Sequence, residues 1–123
     1  MRYYLMALKN CFNFKGRASR SEFWVFTLVN YFIIYFLYFV FIFSSEYNET
    51  LAGGALVLSL SLSLVLVVPS VSVSIRRLHD TNRTGWLFLL SFVPIIGTVL
   101  LIYWYCLKGC EGDNHFGPDP FTL

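Results

Sequence analysis

The chain has 123 residues, 57% of them hydrophobic and 13% charged, a balance that excludes an ordinary soluble domain because so little polar surface is left to face water. Its net charge of +2 is too small to direct it to nucleic acid. Charged residues are absent from 23 to 45, from 50 to 75 and from 84 to 107, and each gap provides the roughly 20 residues that a helix needs to cross about 30 Å of hydrocarbon.

The pattern predicts an all-α, multi-pass membrane protein of one domain spanning 1–123. It comprises three transmembrane helices at 22–43, 51–75 and 86–107, an amphipathic interfacial helix at 2–14 and a turn-rich tail at 109–123. In the first element Tyr4, Leu5, Leu8 and Phe12 recur at helical spacing opposite Arg2, Lys9 and Asn13. Such a helix suits the headgroup layer or the protein's own inner loops. Gly16 ends it.

Ser19-Arg20-Ser21-Glu22 before the first apolar run has the form of a capping box, with Ser19 accepting from the Glu22 amide and Glu22 reaching back to the Ser19 amide. The run from Phe23 to Phe43 is longer than a secretory signal's apolar core and no small-residue cleavage site follows it, so it reads as an uncleaved anchor. Its aromatic surface of Tyr31, Phe32, Tyr35, Phe36, Tyr38 and Phe39 suits packing or lipid contact rather than a ligand box.

In the second span Ala55, Ser59, Ser63, Ser70 and Ser74 fall near one helical face. Small residues let helices approach closely and their hydroxyls can bond a neighbour, so this face is expected to pack on protein. Pro69 is expected to kink the helix and free a carbonyl. The third span opens at Trp86 and carries Tyr103, Trp104 and Tyr105 near its far end, as interfacial belts do. Pro94-Ile95-Ile96-Gly97 in its middle leaves a second arrangement open, a re-entrant hairpin that returns the tail to the side it came from.

Eight of the nine basic residues lie before the first span or between the second and third, leaving Lys108 alone in the tail. Because basic loops stay cytoplasmic, a three-span chain has its N-terminus in the cytoplasm and its C-terminus in the periplasm or outside the cell. The three cysteines, Cys11, Cys106 and Cys110, make no disulfide framework and are expected to be free thiols. Cys106, Cys110 and His115 match no zinc spacing, and Glu111, Asp113 and Asp119 lack the alternation of a calcium loop, so no metal or other cofactor is expected.

Arg76, His79, Asp80 and Arg83 recur at i, i+3, i+4 and i+7, on one face of a continuing helix at the inner membrane surface. Arg17, Arg20, Glu22, Arg76, Arg77, His79, Asp80 and Arg83 are accordingly expected to form one cytoplasmic polar cluster. There Glu22 and Asp80 pair with some of the arginines, and the surplus of bases suits an anionic lipid headgroup or a partner's acidic segment. His79 beside Asp80 invites an acid/base reading, but adjacent helical residues do not face each other and no nucleophile accompanies them.

Three separated motifs carry a family resemblance: Gly16-Arg17-Ala18-Ser19-Arg20-Ser21-Glu22-Phe23-Trp24, Arg76-Arg77-Leu78-His79-Asp80-Thr81-Asn82-Arg83-Thr84-Gly85-Trp86 and Gly112-Asp113-Asn114-His115-Phe116-Gly117-Pro118-Asp119-Pro120. With these in order the chain resembles, nearly end to end, the domain of unknown function 805 family of small bacterial inner-membrane proteins. Asn82, Thr84 and Phe116 stand where that family has glycine, serine and tyrosine. The resemblance implies a bacterial plasma-membrane location and a multi-span helical fold, and no activity. In such a protein the glycosylation pattern at Asn48-Glu49-Thr50 and Asn82-Arg83-Thr84 is a chance match.

Past Glu22 at the start of the first, the spans carry no Asp, Glu, Lys, Arg or His, the residues that usually mark ion or proton coupling. The reading is therefore a non-enzymatic accessory or regulatory subunit that acts by association with a membrane-protein partner or its own copies. Its rivals are an oligomeric transporter or channel lined by the serine face, and an enzyme acting on lipid headgroups through His79 and Asp80.

Overall fold

A computed structural model describes residues 1–120, so the last three residues of the expected tail lie outside the described residues. The chain is all-α, with α1 at Arg2–Lys9, α2 at Arg20–Ser44, α3 at Glu49–Asp80, a 3₁₀ helix at Gly85–Phe92 and α4 at Ile96–Cys106. The helices α2 and α3 are long and apolar enough to cross a membrane. At 1.5 Å per residue α3 extends about 48 Å and α4 about 16 Å, so α4 has roughly half the length that a hydrocarbon layer about 30 Å thick requires of a crossing helix.

Two compact units divide the chain, one of residues 1–26 with the chain from Val68 onward and the other of residues 27–67. In the second unit, Ser44 Oγ donates to the Val40 carbonyl at 2.6 Å and the Asn48 amide to the Ser44 carbonyl at 2.8 Å, which closes α2 into a tight turn. Asn48 Oδ1 then accepts the Leu51 amide at 3.1 Å and caps the start of α3. Ala52, Ala55, Ser59 and Leu66 are buried, while Phe32, Tyr35, Phe36, Phe39 and Phe43 are exposed, as lipid-facing side chains are. The rings at 32 and 36 and at 39 and 43 stack one turn apart along α2.

Within the first unit, the expected helix over 2–14 stops at Lys9. Beyond it, the Asn10 and Asn13 carbonyls both accept from Ser72 Oγ of α3 at 2.9 Å. A hydroxyl on another element holds what a further helical turn would need, so residues 10–14 bend over α3. Ala7 is fully buried and Tyr4 stacks on Phe26 at 5.2 Å, whereas Leu5 and Phe12 stay exposed. One edge of the amphipathic face therefore packs on protein.

The segment expected as one helix over 86–107 is a hairpin. The 3₁₀ helix ends at Phe92, and Ile95 takes φ 66° and ψ −72° while the Ile96 amide donates to the Pro94 carbonyl at 2.8 Å. That is a γ-turn of the strained kind, which reverses the chain. Gly97 makes the reversal tight, because a Cβ there would overlap the Leu90 carbonyl. Proline without an amide and the strained Ile95 together prevent the helix from continuing. Both ends of the hairpin lie against the end of α3: Gly85 against Ile75 and His79, and the Tyr105 and Leu107 carbonyls against Arg77.

Candidate functional site

The end of α3 is set by a Schellman motif. The Arg83 amide donates to the Leu78 carbonyl at 2.9 Å, the Asn82 amide to the His79 carbonyl at 2.9 Å, and Asn82 sits in the left-handed region at φ 59°. Because the helix stops at Asp80, Arg83 leaves the face shared by Arg76 and Asp80. It lies instead over the Trp104 ring, 5.2 Å from its centroid, with Nη1 donating to the Thr81 carbonyl.

Arg17, Glu22, Arg76, Arg77 and Asp80 come together and are all buried. Ser19 Oγ accepts the Glu22 amide at 3.1 Å and so starts α2, while the Glu22 carboxylate accepts from Arg76 Nη1 at 2.7 Å. The Ala18 amide donates to the Arg76 carbonyl at 3.1 Å, which fixes the loop before α2 to α3. Asp80 lies between two guanidiniums. Arg17 gives its Oδ1 two bonds, from Nε at 3.1 Å and Nη2 at 2.9 Å, and Arg77 Nη1 donates to Oδ2.

The remaining donors of Arg17 and Arg77 gather backbone oxygens. Arg17 donates to the Cys110 and Gly112 carbonyls, both at 2.6 Å, and to the Gly117 carbonyl at 3.4 Å. Arg77 donates to the Tyr105, Leu107 and Ala18 carbonyls. The Cys110 amide returns a bond of 2.7 Å to the Asp80 carbonyl. At this low dielectric the pairs of Asp80 with Arg17 and Arg77 are strong, and the cost of burying them is offset by the further bonds that both guanidiniums make to backbone carbonyls.

His79 turns away from Asp80. Its Nδ1 carries a proton donated to the Gly16 carbonyl at 3.0 Å, and its ring stacks at 4.2 Å on Phe116, 3° from parallel. Asn114 Nδ2 donates to the His79 carbonyl at 3.0 Å, so the tail folds back as an ordered strap. Arg20 stays exposed with a bond of 3.5 Å to the Cys106 carbonyl. On the strap a hydrogen bond and the charge of Lys108 hold the Glu111 carboxyl below the usual carboxylate range; both side chains are exposed.

Of the small residues on α3, Ala55, Ser59 and Ser74 are buried and Ser63 and Ser70 partly so. Their hydroxyls turn back on their own helix: Ser59 to the Leu56 carbonyl, Ser63 to Ser59 and Ser74 to Ser70. The hydroxyl that does reach another element is that of Ser72, outside the expected stripe. Cys11, Cys106 and Cys110 are free thiols, and among the described residues no three of His, Cys, Asp and Glu gather as a metal site needs.

The three segments that meet here are the three motifs of the sequence. The profile described as "Protein of unknown function (DUF805)" matches residues 11–118. The chain belongs to this family. It is 40% identical over 120 residues to "Inner membrane protein YhaH" of Escherichia coli (strain K12), covering 98% of this chain and 97% of that protein. It is 39% identical over 121 residues to "Inner membrane protein YhaI" of the same organism, covering 98% of this chain and 96% of that protein. No solved structure matches the chain.

In this DUF805 chain, sequence reasoning missed Gly109, Ser72, Asn114 and the carbonyls of Tyr105, Leu107 and Cys110. Gly109 carries a readable signal in hindsight, since a glycine beside a charged cluster marks a close backbone approach. Backbone carbonyls carry none.

Proposed function

We propose that this DUF805 protein is a non-enzymatic accessory or regulatory subunit of the bacterial inner membrane that acts by association within the bilayer. The observation that supports this best is the commitment of its polar groups. Asp80 is held by Arg17 and Arg77, and His79 by Gly16 and Phe116. An acid/base residue must be able to exchange protons with a substrate, and these two are engaged as struts. The serine hydroxyls of α3 that bond their own helix also give little support to a pore lining. What α2 presents outward is an aromatic face, which suits lipid or a neighbouring helix.

The location follows from the inner-membrane relatives and the two long apolar helices. For topology we propose two spans, α2 and α3, with both termini cytoplasmic and the 85–106 hairpin entering the inner leaflet and returning. Support comes from the basic residues before α2 and after α3 and from the return of Cys110 to Asp80. Photo-crosslinking from Phe36 in native membranes tests the association. A discrete protein adduct is expected, and a chain that yields lipid adducts alone speaks against a partner on this face.

A further inference from the structure

We propose that Arg76 is the floor of a binding site for a phosphate group, roofed by the loop from Asn13 to Gly16. The buried cluster holds three guanidiniums, Arg17, Arg76 and Arg77, against two carboxylates, Glu22 and Asp80. Among the described residues one positive charge is therefore left without a counterion at a depth where water screens it little, and a buried charge of this kind is costly unless an anion joins it.

The hydrogen bonds locate the surplus. Arg17 and Arg77 spend their donors on Asp80 and on backbone carbonyls. Arg76 is just as deeply buried, at 2% exposure, yet it uses Nη1 on Glu22 while Nε and Nη2 have no partner among the described residues. The edge that carries Nε and Nη2 is the fork by which a guanidinium takes two oxygens of a phosphate.

The roof is thin. Gly16 offers bare backbone to the Arg76 side chain, and a Cβ there would stand 3.8 Å from Arg76 Cδ and 3.2 Å from Asn13 Nδ2. Asn13, Phe14 and Lys15 are exposed, and the loop is tied to α3 through the shared hydroxyl of Ser72. Lifting residues 13–16 opens the free edge of Arg76 to the surface, where the exposed Lys15 and Arg20 draw anions in. The ligand chemistry is a phosphate monoester or diester oxygen pair, supplied by a lipid headgroup or by free phosphate. This holds whether or not the chain has a protein partner.

The test is thermal unfolding of the purified full chain. Inorganic phosphate is titrated in detergent against chloride at matched ionic strength, and vesicles of phosphatidylglycerol in phosphatidylcholine are compared with phosphatidylcholine alone. A ligand that binds the folded chain raises the midpoint with concentration. A rise with phosphate identifies the soluble source, and a rise with phosphatidylglycerol alone identifies the headgroup. Arg76→Lys keeps the charge beside Glu22 and removes the fork, so affinity is expected to fall about tenfold or more, as loss of a charge-assisted hydrogen bond does. Glu22→Gln keeps the shape and removes the competing carboxylate, so affinity is expected to rise. The proposal is overturned if neither ligand shifts the midpoint, or if both variants bind as the wild type does.

Discussion

Gly109 lies so close to the Asp80 carboxylate that a Cβ at position 109 would overlap it. The strap therefore crosses Asp80 as bare backbone, and the carboxylate is enclosed by Arg17, Arg77 and the peptide at 109–110. Gly109→Ala must push the strap or Asp80 away and break at least one of these bonds. A loss of about 1–3 kcal/mol is expected from overpacking. Thermal unfolding in detergent reads it, and an unchanged midpoint would mean that the strap does not seat on Asp80.

Removing the charge at Asp80 should cost more than removing a charge at the rim. Asp80→Asn leaves Arg17 and Arg77 buried without their counterion, for which about 3–5 kcal/mol is typical. Arg20→Ala, at an exposed residue with one long bond to the Cys106 carbonyl, should stay within about 0.5 kcal/mol. Equal losses for the two would contradict the burial described for Asp80.

At Asn82 the backbone occupies the left-handed region that glycine takes at no cost. Asn82→Gly should leave stability unchanged or raise it slightly, whereas Asn82→Val should lose about 1–2 kcal/mol because its branched Cβ crowds the backbone there and it lacks the short polar group with which asparagine tolerates this region. A valine variant as stable as the wild type would show that α3 does not end in this turn.

The two-span topology has a direct readout. His115 is exposed on the strap, so a cysteine placed there should resist a thiol reagent that cannot cross the inner membrane, and react once the cells are opened. Labelling in intact cells would instead favour a third full crossing. The background of Cys11, Cys106 and Cys110 is first replaced by serine.

Much of this architecture was legible in the residues, for identifiable reasons. Gaps in charge mark α2 and α3 because an uninterrupted apolar run has few homes outside lipid. Glu22, Asp80 and the arginines around them stand out because ionisable groups beside a span need partners. The hairpin was less legible, since the residues from 86 to 107 are equally apolar whether they run on or turn back, and Pro94-Ile95-Ile96-Gly97 permits both. The bend at 10–14 depends on Ser72, far away in sequence, which no local periodicity reports. Arg83 was misplaced because a helix extrapolated past Asp80 ignores the turn at Asn82.

The bonds of Arg17 and Arg77 also set an order of events during synthesis. Arg17 leaves the ribosome early, yet its acceptors at Cys110, Gly112 and Gly117 come near the end of translation. Arg77 likewise waits for Tyr105 and Leu107. Until those carbonyls arrive, the two guanidiniums have only water to complete their hydrogen bonds, and leaving it is unfavourable. The lock therefore closes after both long helices have been made, and a nascent chain arrested before residue 105 keeps those donors of Arg17 and Arg77 hydrated.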